Sequence, residues 1–502
     1  MSTVETELKF DAPKQTPDAD IPDVDGFTTL STRGVELTAV YWDTDDRSLL
    51  AWGLTLRHRS ASDGSEDGWT LKLPTPGSRD DGAVVRTEVD ADGDGEQPPA
   101  ELTALLGTII DGSELGPVAT VTTSRQVRSL SRDAVLASVE LVDDTVTSRL
   151  GDTEDESEGP SFRQIEAELV DVGDQDTLTL ISEGLSAAGF TPSNHDSKLA
   201  RVLGGRPPLP LPDGRTGRHA SIADFVVAMI TSSARQLIAE DPAVRLGDDA
   251  EAIHRARVAT RRLRSDLRTF RPLLDRDRVQ ALRVELKWFG ALLGDVRDPQ
   301  VLEHRLIDAA PSRSAGPAER AELTRRLGER GDLHRTMLQN AMTGDRYRSL
   351  VADLTGLAQN PPLRDGSDGS QHADTAIGRL AAKEWKRVGR TANKLADEST
   401  DHDLHEFRKE IKKARYAFQG ARRIKVGTKG ASKQLGELQD QLGDLMDSVV
   451  AMEWLAAEAE HLSPSAAFLA GQLHHAADDR RREIRRTWRG TWDQLEELDP
   501  FG

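Results

Sequence analysis

Over residues 1–203, apolar and polar positions alternate in short runs broken by Gly, Asp and Pro, the period-2 pattern of antiparallel strands. Successive side chains of a strand point to opposite faces, so each run divides into two rows. In residues 4–10 one row holds Glu5, Glu7 and Lys9, the other Thr6, Leu8 and Phe10. The same division pairs Arg57 with Arg59, and it sets Thr70 and Lys72 against Trp69, Leu71 and Leu73. It pairs Arg86 with Glu88, aligns Glu140, Val142 and Asp144, and places Glu166 with Glu168 opposite Ile165, Ala167 and Leu169. From Ser221 the period changes to that of helices rich in Ala, Leu, Arg and Glu. Between the two patterns, residues 204–217 (GGRPPLPLPDGRTG) set prolines among glycines, which predicts a stiff, extended linker. The expected fold class is α+β in two domains: an antiparallel sheet or barrel over 1–203, then an all-α domain over 218–498.

The helical part repeats itself. His254 opens HRARVATRRLRSDLRTF and His405 opens HEFRKEIKKARYAFQGA, and their basic residues coincide by offset from the histidine. Arg257, Arg261 and Arg264 match Arg408, Lys412 and Arg415 at +3, +7 and +10, a single stripe at about 100° per residue. Arg268 extends the first stripe, and Arg262 matches Lys413. A second shared element, residues 292–298 beside 441–447 (LLGDVRD and QLGDLMD), makes the duplicated unit at least two helices long, about 221–350 and 371–498.

Charge sharpens the division. Residues 1–205 hold 16 Lys and Arg against 40 Asp and Glu, a net −24, which leaves +4 for the remainder of a chain whose total is −20. Acidic loops at 91–96 and 151–159 read as solvated hairpin tips. With no cysteine, disulfides, thiolate metal sites and cysteine nucleophiles are excluded, and a reducing compartment fits. No signal peptide and no stretch with the roughly 20 apolar residues of a membrane span is read, so a cytoplasmic protein without a membrane partner is expected.

A solvent-washed outer face explains any one charged row. Six such rows dominated by Glu, Arg and Lys are different, because like charges two residues apart repel unless opposite charge lies between them. Turned into a barrel, the carboxylates could hold hard divalent cations, and the cations could hold phosphate oxygens. On the helices, stripes of four or five cations with almost no acid call for an anionic partner. The histidines are open to a capping, core or ligand role. Nucleic acid ranks below polyphosphate because the stripes have little aromatic interleaving and no recognition-helix motif is present.

The ordered set Glu5-x-Glu7-x-Lys9, Arg57-x-Arg59, Lys72, Arg86-x-Glu88 and Glu166-x-Glu168 resembles the CYTH domain of triphosphate tunnel metalloenzymes. That resemblance implies an eight-stranded antiparallel tunnel binding triphosphate-containing substrates with Mg2+ or Mn2+. It implies metal ligands at Glu5, Glu7, Glu166 and Glu168, with Asp144 and Glu140 as helpers. It places Lys9, Arg57, Arg59, Lys72, Arg86, Arg125 and Lys198 on the phosphates, Glu5, Glu7 and Lys9 at the catalytic centre, and Glu88 beside a basic neighbour or a metal. A later strand of the family carries two alternating basic residues; residues 121–127 read VTTSRQV, with Thr122 and Ser124 at the expected places, which leaves either a looser grip on the substrate or compensation by Arg125 through a register shift or bulge. The duplicated His-x-x-Arg pattern is similar to the CHAD domain, a helical module that often follows CYTH and binds inorganic polyphosphate. It implies an anion surface of His254, Arg257, Arg261, Arg264, His405, Arg408, Lys412 and Arg415. The expected function is metal-dependent hydrolysis of inorganic triphosphate or short polyphosphate, with polyphosphate held by the helices. A non-catalytic polyphosphate-binding protein is the alternative, and organic triphosphates rank below inorganic ones.

Overall fold

The computed structural model describes residues 2–13, 20–75, 82–151, 157–170, 173–309, 316–396, 398–427, 430–498 and 500, so 152–156 of the acidic loop lie outside the described residues. The chain forms two compact units, Met1–Pro210 and Leu211–Gly502.

Eight strands build the barrel of the first unit: β1 (Ser2–Asp11), β2 (Thr28–Asp43), β3 (Thr55–Ala61), β4 (Gly68–Pro74), β5 (Val84–Ala91), β6 (Gly116–Ser131), β7 (Val139–Leu150) and β8 (Phe162–Leu169), with two-residue strands Ser157–Glu158 and Thr191–Pro192 added at β7 and β1. They pair in the order β1-β5-β4-β3-β2-β6-β7-β8, and β8 returns to β1, closing an antiparallel barrel. The register Glu7↔Glu168 and Lys9↔Glu166 sets the charged rows of β1 and β8 side by side. Their opposite rows bury Leu8, Phe10, Ile165 and Ala167 under Leu178, Ile181 and Leu185 of α3 (Gln175–Ala187). Because a one-residue slip would carry every charge to that apolar side, the helix fixes which row faces inward. Two helices precede it, α1 (Ser48–Trp52) and α2 (Ala100–Ile110). Short α4 (Lys198–Val202) is capped by the Ser197 hydroxyl, which accepts from Ala200 N at 3.1 Å. Its Leu199, Ala200 and Val202 pack with Ala39, Tyr41, Val121 and Val146 of the barrel.

The second unit is all helical: α5 (Ile222–Leu246), α6 (Ala250–Thr269), α7 (Arg276–Ala309), α8 (Pro317–Thr343), α9 (Asp345–Gln359), α10 (Ala373–Ala392), α11 (Asp401–Arg423), α12 (Ala431–Glu458) and α13 (Pro464–Glu496). Neighbours pack in sequence from α5 to α8 and again from α10 to α13, and α6 meets α11. Helix α6 buries Ile253, Ala256, Leu263 and Leu267, and α11 buries Phe407, Ile411, Ala414 and Phe418; at helical spacing this leaves the basic stripes on other faces. The end of α11 comes so close to the Phe225–Phe270 pair that a Cβ on Gly420 would sit 2.5 Å from Phe270 Cζ. One departure from expectation concerns α5, which is long and apolar enough to cross a membrane by length and composition. In this unit it is packed inside, with Phe225, Met229, Ile230 and Ala234 buried.

Candidate functional site

The inward rows of the barrel line a cavity of about 280 Å³ holding Glu5, Lys9, Arg57, Arg59, Lys72, Arg86, Arg125, Glu140, Glu166, Glu168 and Lys198, all anticipated from sequence. Lys9 Nζ donates to Glu7 Oε2 at 2.7 Å and Glu166 Oε1 at 2.5 Å. Lys72 bridges Glu5, at 2.7 Å, and Glu88. Lys198, delivered by α4, reaches Asp144 Oδ2 at 2.9 Å and Glu166 Oε1 at 2.8 Å. Arg86 Nη2 donates to the Asp196 carbonyl at 2.5 Å.

Arg125 enters without a bulge. The β6–β7 register runs unbroken from Ala119↔Leu150 to Leu130↔Val139, so Val121, Thr123, Arg125 and Val127 share the inward row. Thr122 and Ser124, where sequence placed the family's basic pair, lie on the other row; the parity expected for this strand is off by one. Arg125 forms a bidentate pair with Asp144, Nε–Oδ1 and Nη2–Oδ2 both at 2.8 Å, and reaches Glu166 at 3.4 Å. Arg128 leaves the cavity for the Ile21 carbonyl. Asp144, expected among the metal ligands, is fully buried with both oxygens committed to Arg125 and Lys198, and it does not line the cavity. Its place is that of an anchor for those two cations.

Electrostatics follow from burial among mixed charges. Burial works against the Lys9 ammonium, but Glu166 and Glu7 overcome it and raise its pKa. Burial opposes charge on Glu166 too, and Lys198, Lys9 and Arg125 hold it well below the usual carboxylate range. Glu168 is pushed up to about 8 by burial and by the carboxylates of Glu5 and Glu7, with Lys72 only partly compensating. Glu5, Glu166 and Glu168 line the cavity with the hard oxygen donors that a divalent cation takes, whereas Glu7, in the same row of β1, is buried against Lys9 and outside that lining. Glu7 Oε1 is buried without a partner among the described residues, and so are Arg57 Nε and Arg86 Nε. The donor set is of the chemistry that suits a hard divalent cation, although among the described residues no three His, Asp or Glu side chains stand ready-grouped as ligands. Glu5, Glu7 and Glu166 are drawn onto Lys72, Lys9 and Lys198 instead. Sequence reading missed Arg33, Tyr41 and Glu66, which also line the cavity. Arg33 and Tyr41 share the inward row of β2, but a strand whose other inward residues are Val35, Leu37 and Ala39 reads as core.

In the helical unit His254, Arg257, Arg261 and Arg408 line a cleft of about 420 Å³, joined by Arg297, Arg305, Asp298 and Asp447. Arg257 pairs with Asp298, and Arg408 packs over Gly443, where a Cβ would meet Nη2 at 2.8 Å. His405, Arg264, Lys412 and Arg415 do not line that cleft. Lys412 is driven down to about 7 by burial and by the cations facing it, Arg261, Arg408, Arg257 and Arg415. Arg264 is held low by burial and Arg261, and it continues toward Arg283. Burial and neighbouring charges lower both His254 and His405, so each imidazole favours its neutral form. Arg262 and Lys413 turn to Asp266 and Glu410. Arg297 lies within the repeated 292–298 element, but Arg305 carries no sequence signal.

A family model described as the CYTH domain matches residues 3–171, and one described as the CHAD domain matches residues 228–456. Uncharacterized proteins Rv2226 and MT2285 of Mycobacterium tuberculosis are each 30% identical over 479 residues, covering 91% of this chain and 89% of the relative. Among solved structures, PptA from Streptomyces chartreusis is 21% identical at TM-score 0.46, covering 55% of this chain and 100% of its own. The CHAD domain of the plant Ricinus communis is 22% identical at TM-score 0.48, covering 59% and 99%. HpAC1 from Hippeastrum, a protein with a dominant triphosphatase activity, is 17% identical at TM-score 0.26, covering 40% and 98%.

Proposed function

The chain belongs to the family of proteins in which a CYTH domain is followed by a CHAD domain, and from that premise we propose that its barrel hydrolyses inorganic triphosphate or short polyphosphate with a divalent cation while its helical unit binds polyphosphate. We assign 1–203 to the tunnel domain, 204–217 to a linker and 218–498 to the helical domain, with its two copies near 221–350 and 371–498. The carrying observation is the convergence, in one cavity, of carboxylates from β1 and β8 with cations from β1, β3, β4, β5, β6 and α4.

Lys9, Arg57, Arg59, Lys72, Arg86, Arg125 and Lys198 donate charge-assisted hydrogen bonds to phosphate oxygens, trading internal partners for the substrate. In a buried cavity these bonds are stronger than in water, and the barrel has already fixed their directions. Asp144 keeps Arg125 and Lys198 aimed inward, and the Asp196 carbonyl holds Arg86. Mg2+ or Mn2+, held by Glu5, Glu7, Glu166 and Glu168, supplies charge neutralisation at the phosphoryl group when bound. No side chain has to form a covalent bond, since placement and electrostatics carry phosphoryl transfer to water. In the helical unit Arg257, Arg261, Arg408 and Lys412 form the core of the polyphosphate surface, with His254, Arg264, His405 and Arg415 at its margins. Like-charge strain around Lys412 supports an anionic occupant there.

The test is phosphate release from tripolyphosphate with Mg2+ or Mn2+, comparing the wild-type chain with Glu5→Gln and Glu7→Gln. Metal-dependent release that falls at least tenfold in both variants is expected; none in the wild type overturns the enzyme reading. The second reading, a polyphosphate-binding protein with an inert tunnel, is favoured by one observation: the inward row of β6 pairs Arg125 with Thr123, one cation where the family pattern has two.

A further inference from the structure

Glu66 is out of place in a phosphate-gripping cavity. It sits on the β3–β4 hairpin, yet its carboxylate pairs with Arg59 and lies 4.0 Å from Arg33 and 3.9 Å from Arg125. Two of those three, Arg59 and Arg125, belong to the set assigned above to the phosphates. The hairpin that carries it is built, not loose: Ala61 N donates to Asp67 Oδ1 at 2.6 Å, Ser65 N to Asp63 Oδ1 at 3.0 Å and Ser62 N to the Glu36 carbonyl at 2.8 Å. The backbone under Glu66 is therefore held in place, and its carboxylate is the group that a ligand on Arg59 has to replace. Glu66 also stands at a boundary of charge. Inward lies the cavity of about 280 Å³ with its mixed charges; outward, a space of about 600 Å³ shares Arg57, Arg59, Glu66 and Glu88, and there the further charged residues, beside neutral ones such as Trp69 and Thr70, are all acidic: Asp67, Asp90, Asp92 and Glu101.

We propose that Glu66 is a displaceable counter-ion that occupies the place of a phosphate oxygen on Arg59, Arg33 and Arg125, so that tripolyphosphate binds by expelling it. The inference rests on the tunnel reading above. A carboxylate presents two oxygens to an arginine fork much as a phosphoryl group does, so it is a close counter-ion to Arg59 and a weaker one to Arg33 and Arg125. A ligand must outbid it, which favours compact, highly charged, metal-neutralised phosphates. A long polyanion entering from this side must also pass the acidic mouth, where like charge repels it.

The experiment is calorimetric titration of tripolyphosphate with a chelator present, using the full chain bearing Arg257→Glu, Arg261→Glu and Arg408→Glu so that binding reports the barrel. Adding Glu66→Gln, which keeps shape but removes charge, should tighten binding about fivefold to tenfold, the scale of a partly exposed ion pair no longer competing. Glu66→Asp, which keeps the charge but shortens the reach, should fall between the two. With metal present, the gain should appear in KM. Binding unchanged or weakened by Glu66→Gln, with the parent chain binding normally, overturns the counter-ion role and leaves the tunnel reading intact. No binding by the parent or either variant, with the chelator and also with Mg2+ in its place, overturns the tunnel reading, and this inference with it.

Discussion

Asp144→Asn removes one charge and almost no volume from a fully buried point of the barrel. Asp144 accepts two hydrogen bonds from Arg125 at 2.8 Å and one from Lys198 at 2.9 Å, with no exposed surface of its own. Removing one partner of a buried ion pair costs about 3–5 kcal/mol, because the other charge stays buried and unpaired. Glu166 still touches both cations, at 3.4 and 2.8 Å, and takes up part of the loss. The expected cost is thus at the lower end, about 3 kcal/mol. For a unit the size of Met1–Pro210 that lowers Tm by about 6–12 °C, measured on the full chain by calorimetric scanning. The sign with pH follows from the direction of the shift: burial opposes the charge, but Lys198 and Arg125 hold the Asp144 carboxyl below its ordinary 3.8. Its contribution is therefore complete above about pH 4 and fades as pH falls through the lower folded value, so wild type and variant converge in acid. A loss under about 1 kcal/mol near neutral pH, the scale of a surface pair, would refute the anchoring role.

Two further predictions concern the helical unit. Lys412, lowered to about 7, is largely neutral in the folded chain above that pH, whereas the unfolded chain titrates near 10.5; its effect is that stability rises with pH between those values. Polyphosphate should draw the proton back, so binding near pH 8.5 takes up about one proton per site, read by calorimetry in buffers of different ionisation enthalpy; Lys412→Met should abolish the uptake, and uptake surviving in that variant contradicts the assignment. Gly294→Ala, whose Cβ would lie 3.7 Å from Arg257, should stabilise α7 by about 0.5–1 kcal/mol in urea unfolding. Gly443→Ala should gain less, because Arg408 must move from 2.8 Å, and should weaken polyphosphate retention several-fold; equal gains with unchanged retention would count against Arg408 as a contact.

Strand alternation carried most of the tunnel. Glu5, Glu7 and Lys9 are legible because a period of 2 admits only two rows, and Leu8 and Phe10 mark which row is covered by α3. The β6 parity was not legible, since VTTSRQV has polar residues on both rows and only the pairing Arg125↔Asp144 decides. Glu66 escaped for another reason: it sits in a turn, where no periodicity says which way a side chain points. In the helices, offsets from His254 and His405 define a stripe but not its neighbours. Which cations share a cleft depends on α7 and α12 crossing α6 and α11, so Arg305 joins His254 while Arg264 and Arg415 fall outside. Asp298 and Asp447 were visible as repeat-equivalent residues, yet their contact with the basic stripe spans tens of residues and leaves no local trace.

The central claim is that carboxylates of β1 and β8 hold a divalent cation inside the barrel beside the phosphate-gripping cations. Anomalous diffraction from crystals grown with Mn2+ and tripolyphosphate tests it most directly. A peak inside the barrel within coordination distance of Glu5, Glu7, Glu166 or Glu168 is the predicted result. Manganese confined to the acidic mouth around Asp90, Asp92 and Glu101, with none within reach of those four carboxylates, contradicts it.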